Sequence, residues 1–253
     1  MSSSTQSVLH RRSSVLVAAV GPAYDPIMGP PYHQFCPVAK AMELFDERWT
    51  LLVVRELVLG SERFNDLRRG LPRMSPTLLS KRMHQLTAAG IVQRLEDGND
   101  VRYVLTPAGR DLETVVDALG AWGTRWTGKL GEVDLDPRLL MWDMHRHVDH
   151  AALPESRVVV EFVFPTVTHA SRRWWMVITP HDVDVCDEDP GFEVSIRVTT
   201  GLRELTEIWR GEATWPDALR SGAVVVDGPS ALRRSLPRWF DSPLASPAGH
   251  SAR

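Results

Sequence analysis

Fifteen residues, Ser75 to Ala89 (SPTLLSKRMHQLTAA), constrain this chain more than any others. Ser75 offers a hydroxyl to the free backbone N–H groups of a helix start. Pro76 follows at the first helical position, where its missing donor costs nothing. Gly90 supplies the left-handed residue that ends such a helix. Leu79, Met83 and Leu86 recur at helical spacing, and Leu78 widens that apolar face. The opposite face carries Thr77, Ser80, Lys81, His84 and Ala88, all short, polar or basic, with no carboxylate. This pattern predicts a helix with one side in a core and the other shaped for the major groove of a duplex.

The flanks extend the prediction. Glu62 to Leu71 reads as a short helix with Phe64, Leu67 and Leu71 at helical spacing. Ile91–Leu95 and Val101–Leu105 are β-favouring runs separated by Asp97-Gly98-Asn99-Asp100, which has hairpin-turn chemistry. Helix, turn, polar-faced helix, hairpin is the order of a winged helix-turn-helix. From Arg63 to Arg94 there are seven bases against the single acid Asp66, six net positive charges on a chain whose net charge is −3. Such a basic cluster is the footprint of phosphate contact. A solvated helix face in another all-α domain is the plainer alternative.

At 253 residues there is room for two ordinary domains. The basic character belongs to the first, because residues 131–253 hold 19 acids and 13 bases. Cys36 and Cys186 are too few for a disulfide framework, which suits a reducing cytoplasm. No apolar run approaches the roughly 18 residues of a membrane span. The opening SVLHRRSSVLVAAVGPA imitates a signal peptide, but a DNA reader has no use for export. Residues 1–32 and 242–253 read instead as loose tails.

Between the tails, residues 33–130 and 137–241 divide the chain. Cys36-Pro37 begins a helix to Phe45, and Arg48 to Leu59 forms a second, apolar nearly all round and therefore central. Pro107, capped by Thr106, opens a long helix to about Lys129. Its stripe of Leu112, Val115, Val116, Leu119, Trp122 and Trp126 outruns what a compact winged helix covers. Burial of that stripe against a second copy is expected, with cover from the following domain as the alternative. After the linker Gly131–Asp136 and a helix over Pro137–Val148, the period changes from 3.6 to 2. Strands are expected at Val158–Phe164, Arg173–Thr179, Val183–Val185, Phe192–Val198 and Val224–Val226. Helices are expected at Leu202–Trp209, Trp215–Arg220 and Leu232–Phe240. The fold class is α+β: a winged helix-turn-helix, then an antiparallel sheet with helices on one face.

The run from Cys36 through Trp126 resembles the HxlR family of winged-helix transcription regulators. The residues that carry the likeness are CPVAKAMELFDERWTLLVVRELVLG, RFNDLRRGLPRMSPTLLSKRMHQLTAAGIV and VRYVLTPAGRDL. The resemblance implies a homodimer on an inverted-repeat operator, and a cysteine at the CPV position that in some members senses oxidants or electrophiles. LTEIWRGEATWPDALRSGAVVVDGPSALRRSLPRWF resembles, more loosely, the C-terminal part of sterol carrier protein-like domains. That likeness implies an α+β fold with an apolar cavity and identifies no ligand.

Thr77, Ser80, Lys81 and His84 are the candidates for base edges, Lys81 suiting a guanine. Arg68, Arg69, Arg73 and Arg82 would hold phosphates, which sets register and affinity more than sequence preference. Arg102 would reach backbone or minor groove from the wing. Cys36 precedes a helix start, where the dipole favours thiolate, with Lys40 one turn on; a free cysteine that only packs is the alternative. Trp174, Trp175, Trp209 and Trp215 either line a cavity for a small apolar ligand or fill the core. His145, His147, Asp149 and His150 point apart on a helix and make a poor metal site. In Asp182–Asp187, Cys186 and Asp187 stand where a calcium loop needs an oxygen ligand and a glycine. No catalytic or phosphate-loop motif is found, so no enzyme activity, cofactor or metal is expected. The expected partners are double-stranded DNA and a second copy, with no membrane. The first rival is a lipid or small-molecule binding protein whose first half only dimerises it, and the second is an enzyme built on the α+β domain.

Overall fold

The computed structural model describes residues 31–128 and 130–240. The tails expected at 1–32 and 242–253 thus lie almost wholly outside the described residues. Two separate hydrophobic cores organise the chain into an N-terminal and a C-terminal lobe.

The N-terminal lobe runs α1 (Pro37–Phe45), α2 (Thr50–Val58), α3 (Phe64–Gly70), α4 (Pro76–Ala88), β1 (Val92–Asp97), β2 (Asp100–Leu105), α5 (Pro107–Arg110) and α6 (Leu112–Trp126). Helix α4 starts and stops where its caps demand. Ser75 Oγ accepts a hydrogen bond from the Leu78 N–H at 3.3 Å, and Gly90 takes φ +71°. Leu79, Met83 and Leu86 enter a core shared with Val53, Val54 and Leu57 of α2 and Leu67 of α3. The hairpin closes at Asp97 opposite Asp100, so only Gly98 and Asn99 form the turn, with Gly98 at φ +58°.

Several helices are shorter than expected, α3 (Phe64–Gly70) against Glu62–Leu71 among them. Helix α2 begins at Thr50, because Trp49 takes a left-handed φ of +80° and turns the chain there. The long helix from Pro107 is interrupted at Asp111 and ends at Trp126, with Gly128 at φ +77°. Its first turn is pinned before the rest begins. Thr106 Oγ1 donates to the Gly90 carbonyl at 2.7 Å and accepts from the Gly109 N–H at 3.2 Å. A side chain on Gly109 would collide with the Ile91 carbonyl.

The C-terminal lobe contains α7 (Pro137–Arg146), β3 (Val158–Val163), β4 (Arg173–Ile178), β5 (Val183–Cys186), β6 (Ile196–Thr200), α8 (Leu202–Trp209), α9 (Trp215–Ser221), β7 (Val224–Asp227) and α10 (Ser230–Trp239). The sheet order is β5-β4-β3-β6-β7. It is mixed rather than antiparallel, since β3 and β6 pair in parallel. After edge strand β5 the chain returns across the sheet through residues 187–195 before it can pair with β3. The expected strand over Phe192–Val198 accordingly starts only at Ile196. Ser195 is already bonded to Val159, donating its N–H at 2.9 Å and accepting at its hydroxyl at 3.2 Å.

One face of this sheet carries Val158, Val160, Phe162, Trp174, Met176, Ile178, Ile196, Val198 and Val226. All belong to the core that α7, α8, α9 and α10 complete, so the helices lie on one side. On the other face Glu161 is buried between two strand arginines, Arg197 Nε at 2.6 Å and Arg173 at 3.5 Å. That cross-strand ladder satisfies a carboxylate that would otherwise be costly to bury.

Candidate nucleic-acid interface

Helix α4 presents Thr77, Ser80, Lys81 and His84 to solvent along one face, while its other face is locked into the core. Rigid backing matters, because a reading side chain is only as well placed as the helix that bears it. Arg68 on α3 and Lys81 on α4 are exposed and have no acidic partner among the described residues.

The remaining bases are more committed than their number suggests. Arg63 makes a two-pronged contact with Asp100 at 3.1 and 3.2 Å, which holds the Asp100 carboxyl below its usual range. Arg102 lies 3.4 Å from the same Asp100 and 3.9 Å from Glu62. Arg94 pairs with Glu96. Much of the sequence's positive charge is therefore offset locally along the hairpin.

Arg82 does not belong to the phosphate set. It is 6% exposed, pairs with Glu47, and donates to the Arg48 carbonyl at 3.2 Å and to Gln85 at 2.7 Å. Its position explains this: Arg82 is three residues after Leu79 and four before Leu86, on the inner face of α4. Its guanidinium ties α4 to the strained turn at Trp49.

A chain of buried contacts outside the candidate DNA-binding residues joins the lobes. Glu56, fully buried in α2, accepts from Arg55 at 2.5 Å and from Arg146 of α7 at 2.9 and 3.3 Å. Arg146 also bonds Asp143 at 3.2 Å, and Asp143 accepts from the Trp209 indole at 2.8 Å. The chain of contacts thus runs from the core of one lobe into the core of the other. Beside it, the Arg69 guanidinium sits 5.2 Å from the centre of the Trp142 ring, and Arg73 lies 3.6 Å from Asp136. The one sequence signal of this junction is Glu56 itself, a carboxylate inside an otherwise apolar helix.

Cys36 caps α1 with its backbone and is half-buried, while Lys40 is paired with Glu43 at 2.9 Å. Burial, reinforced by the neighbouring Asp184 carboxylate, pushes the Cys186 thiol up. Trp174, Trp209 and Trp215 are core residues; the Trp174 indole donates to the Ser171 carbonyl at 3.0 Å. Trp175 is buried from the other face, in register with Glu161 and Cys186. One surface groove runs along Leu219, Val224 and Arg233 and another along Leu57, Tyr103 and Arg110, and none of the four indoles lines either. Among the described residues, no cluster of His, Cys, Asp and Glu is arranged to hold a metal ion. His145 and His147 instead turn their Nδ1 atoms to the Trp142 and Asp143 carbonyls. No helix among the described residues is long and apolar enough to cross a membrane.

Residues 44–130 match the HxlR-like helix-turn-helix family. The chain is also 33% identical over 97 residues to an uncharacterised helix-turn-helix transcriptional regulator, YvaP, of Bacillus subtilis, covering 37% of this chain and 90% of that relative. The chain belongs to the HxlR-like family. A second relative, a helix-turn-helix transcriptional regulator of Mycobacterium tuberculosis, is 41% identical over 92 residues, 35% of this chain and 58% of its own length. A third, from Synechocystis, is 36% identical over 94 residues, 36% of this chain and 70% of its own length. The family is one of helix-turn-helix transcription regulators. The family match stops at residue 130, short of the C-terminal lobe.

Proposed function

We propose that this chain is a cytoplasmic, dimeric, sequence-specific DNA-binding transcription regulator. The observation that carries the reading is the exposed face of α4: Thr77, Ser80, Lys81 and His84 in a row, without a carboxylate, on a helix fixed from behind. Those four would meet base edges. Arg68, Arg69 and Arg73 would hold phosphates, and Arg102 would touch backbone beside the hairpin. The dimer is proposed on α6, where Val115, Leu119, Trp122 and Trp126 are exposed by 45, 49, 59 and 66%. An apolar stripe of that extent marks an interface. A two-fold dimer places half-sites of an inverted repeat about one helical turn, or a multiple, apart.

Lys81→Ala is expected to cost about 1–3 kcal/mol of specific binding if it contacts a base. Arg68→Ala should weaken all sequences alike and flatten the salt dependence by about one unit of slope. Mobility-shift titrations at several salt concentrations read both. Parent-like binding by both variants would move the interface away from α3 and α4.

The rival, a small-molecule binder with a merely dimerising first half, finds no support in the buried indoles. The C-terminal lobe is proposed to receive a small apolar ligand, and since Trp174, Trp209 and Trp215 pack as core, that ligand would not be held by these indoles.

Cys36 enters as a sensor thiol. Diamide should change DNA binding of the parent and of Cys186→Ser, and leave Cys36→Ser unaffected. Cys186 is the right control, since burial and Asp184 push its thiol up, away from the thiolate. A response that persists in Cys36→Ser would return Cys36 to packing alone.

A further inference from the structure

The C-terminal lobe touches the proposed DNA-binding surface at the residues that would hold phosphates. Asp136 lies 3.6 Å from Arg73, and the face of Trp142 lies 5.2 Å from the Arg69 guanidinium. Both contacts offer a guanidinium negative electrostatic potential, as a phosphate does: a carboxylate in one case, the face of an aromatic ring in the other. The lobe that supplies them is acidic overall. Both arginines nonetheless remain about half exposed, 53 and 57% at the side chain. Exposed pairs of this kind are weak, so they can be exchanged. The buried Glu56–Arg146 pair beside them is of another kind: it anchors α7 to α2 whether or not the rim contacts are made.

We propose that the outer face of α3 and the turn after it form a shared surface, occupied by the C-terminal lobe in the free protein and by duplex phosphates in the complex. Asp136 and Trp142 act as built-in competitors for Arg73 and Arg69. Binding hands the guanidiniums from the lobe to the duplex while Glu56–Arg146 keeps the lobes attached. This inference rests on the DNA-binding reading above.

Asp136 is suited to the test, because its charge and its structural role separate. Its Oδ1 caps α7, accepting from the Arg138 and Leu139 N–H groups at 3.0 and 3.4 Å. Asparagine caps equally well, so Asp136→Asn removes the charge and keeps the helix. Four full-length proteins are titrated with a mixed-sequence duplex at low salt: parent, Asp136→Asn, Arg73→Ala and the double variant. Asp136→Asn should tighten binding about threefold, and that gain should vanish in the Arg73→Ala background. Asp136→Ser, which also caps, should repeat the pattern. An equal gain with and without Arg73 would show only general repulsion by an acid, and would overturn the competition. So would no gain, or a loss, in Asp136→Asn when the parent binds. If neither the parent nor any variant binds the duplex, the DNA-binding reading itself fails and takes this inference with it.

Discussion

Gly70→Ala is expected to destabilise the N-terminal lobe by about 3 kcal/mol, enough to leave it partly unfolded at moderate temperature. Gly70 closes α3 directly against the Glu56 carboxylate, and a Cβ there would overlap both carboxylate oxygens. The carboxylate cannot step aside. Arg55 holds it at 2.5 Å, Arg146 holds both oxygens, and Ser61 Oγ lies at 3.4 Å. Relief would break a fully buried ion pair or part α2 from α3, and the first is among the costliest single events in a core. Urea denaturation followed by circular dichroism measures the loss. A midpoint equal to the parent's would mean that Glu56 has room the packing does not show.

Leu119→Glu is expected to abolish dimerisation and to lower affinity for an inverted repeat about 100-fold. A monomer pays the full entropy of each half-site separately, whereas a dimer delivers its second reading helix already in place. Leu119 is half exposed at the middle of the α6 stripe, between Val115 and Trp122 one turn to either side. A carboxylate there would be desolvated by a partner helix, yet would rest in water on the monomer, so the fold should survive the change. Sedimentation velocity reads the assembly and a mobility shift reads the affinity. An intact dimer in this variant would place the contact elsewhere.

Much of the N-terminal lobe was legible in the sequence because its instructions are local. Ser75, Pro76 and Gly90 bound α4, and Gly98 with Asn99 sets the hairpin, each acting within a few residues. Arg82 shows where a charge count misleads. Helical spacing from Leu79 and Leu86 already puts it on the inner face, but its chemistry suggested phosphate. Glu56 shows a different limit. A lone acid in an apolar helix announces a partner, yet Arg146 is 90 residues away in sequence, and only the packing of α7 against α3 names it. The tryptophans sit between these cases. Alternation along the strand Arg173–Thr179 sets Trp174 on one face with Met176 and Ile178, while nothing in the spacing distinguishes an indole that fills a core from one that lines a void. The parallel pairing of β3 with β6 was invisible for the same reason, since a strand's period does not state its neighbour's direction.

That pairing has a consequence in time. Strand β3 is the centre of its sheet, and it must wait for β6, more than thirty residues downstream, before one of its two edges is covered. Non-local parallel pairing is slow to form. The N-terminal lobe, by contrast, is complete by Trp126 and rests on contacts between near neighbours in sequence. Because domains emerge from the ribosome in order, α3 and α4 are built while the lobe that will rest on Arg69 and Arg73 is still a growing chain. For that interval the nascent protein has Arg69 and Arg73 without Trp142 and Asp136 beside them, and its acidic half arrives last.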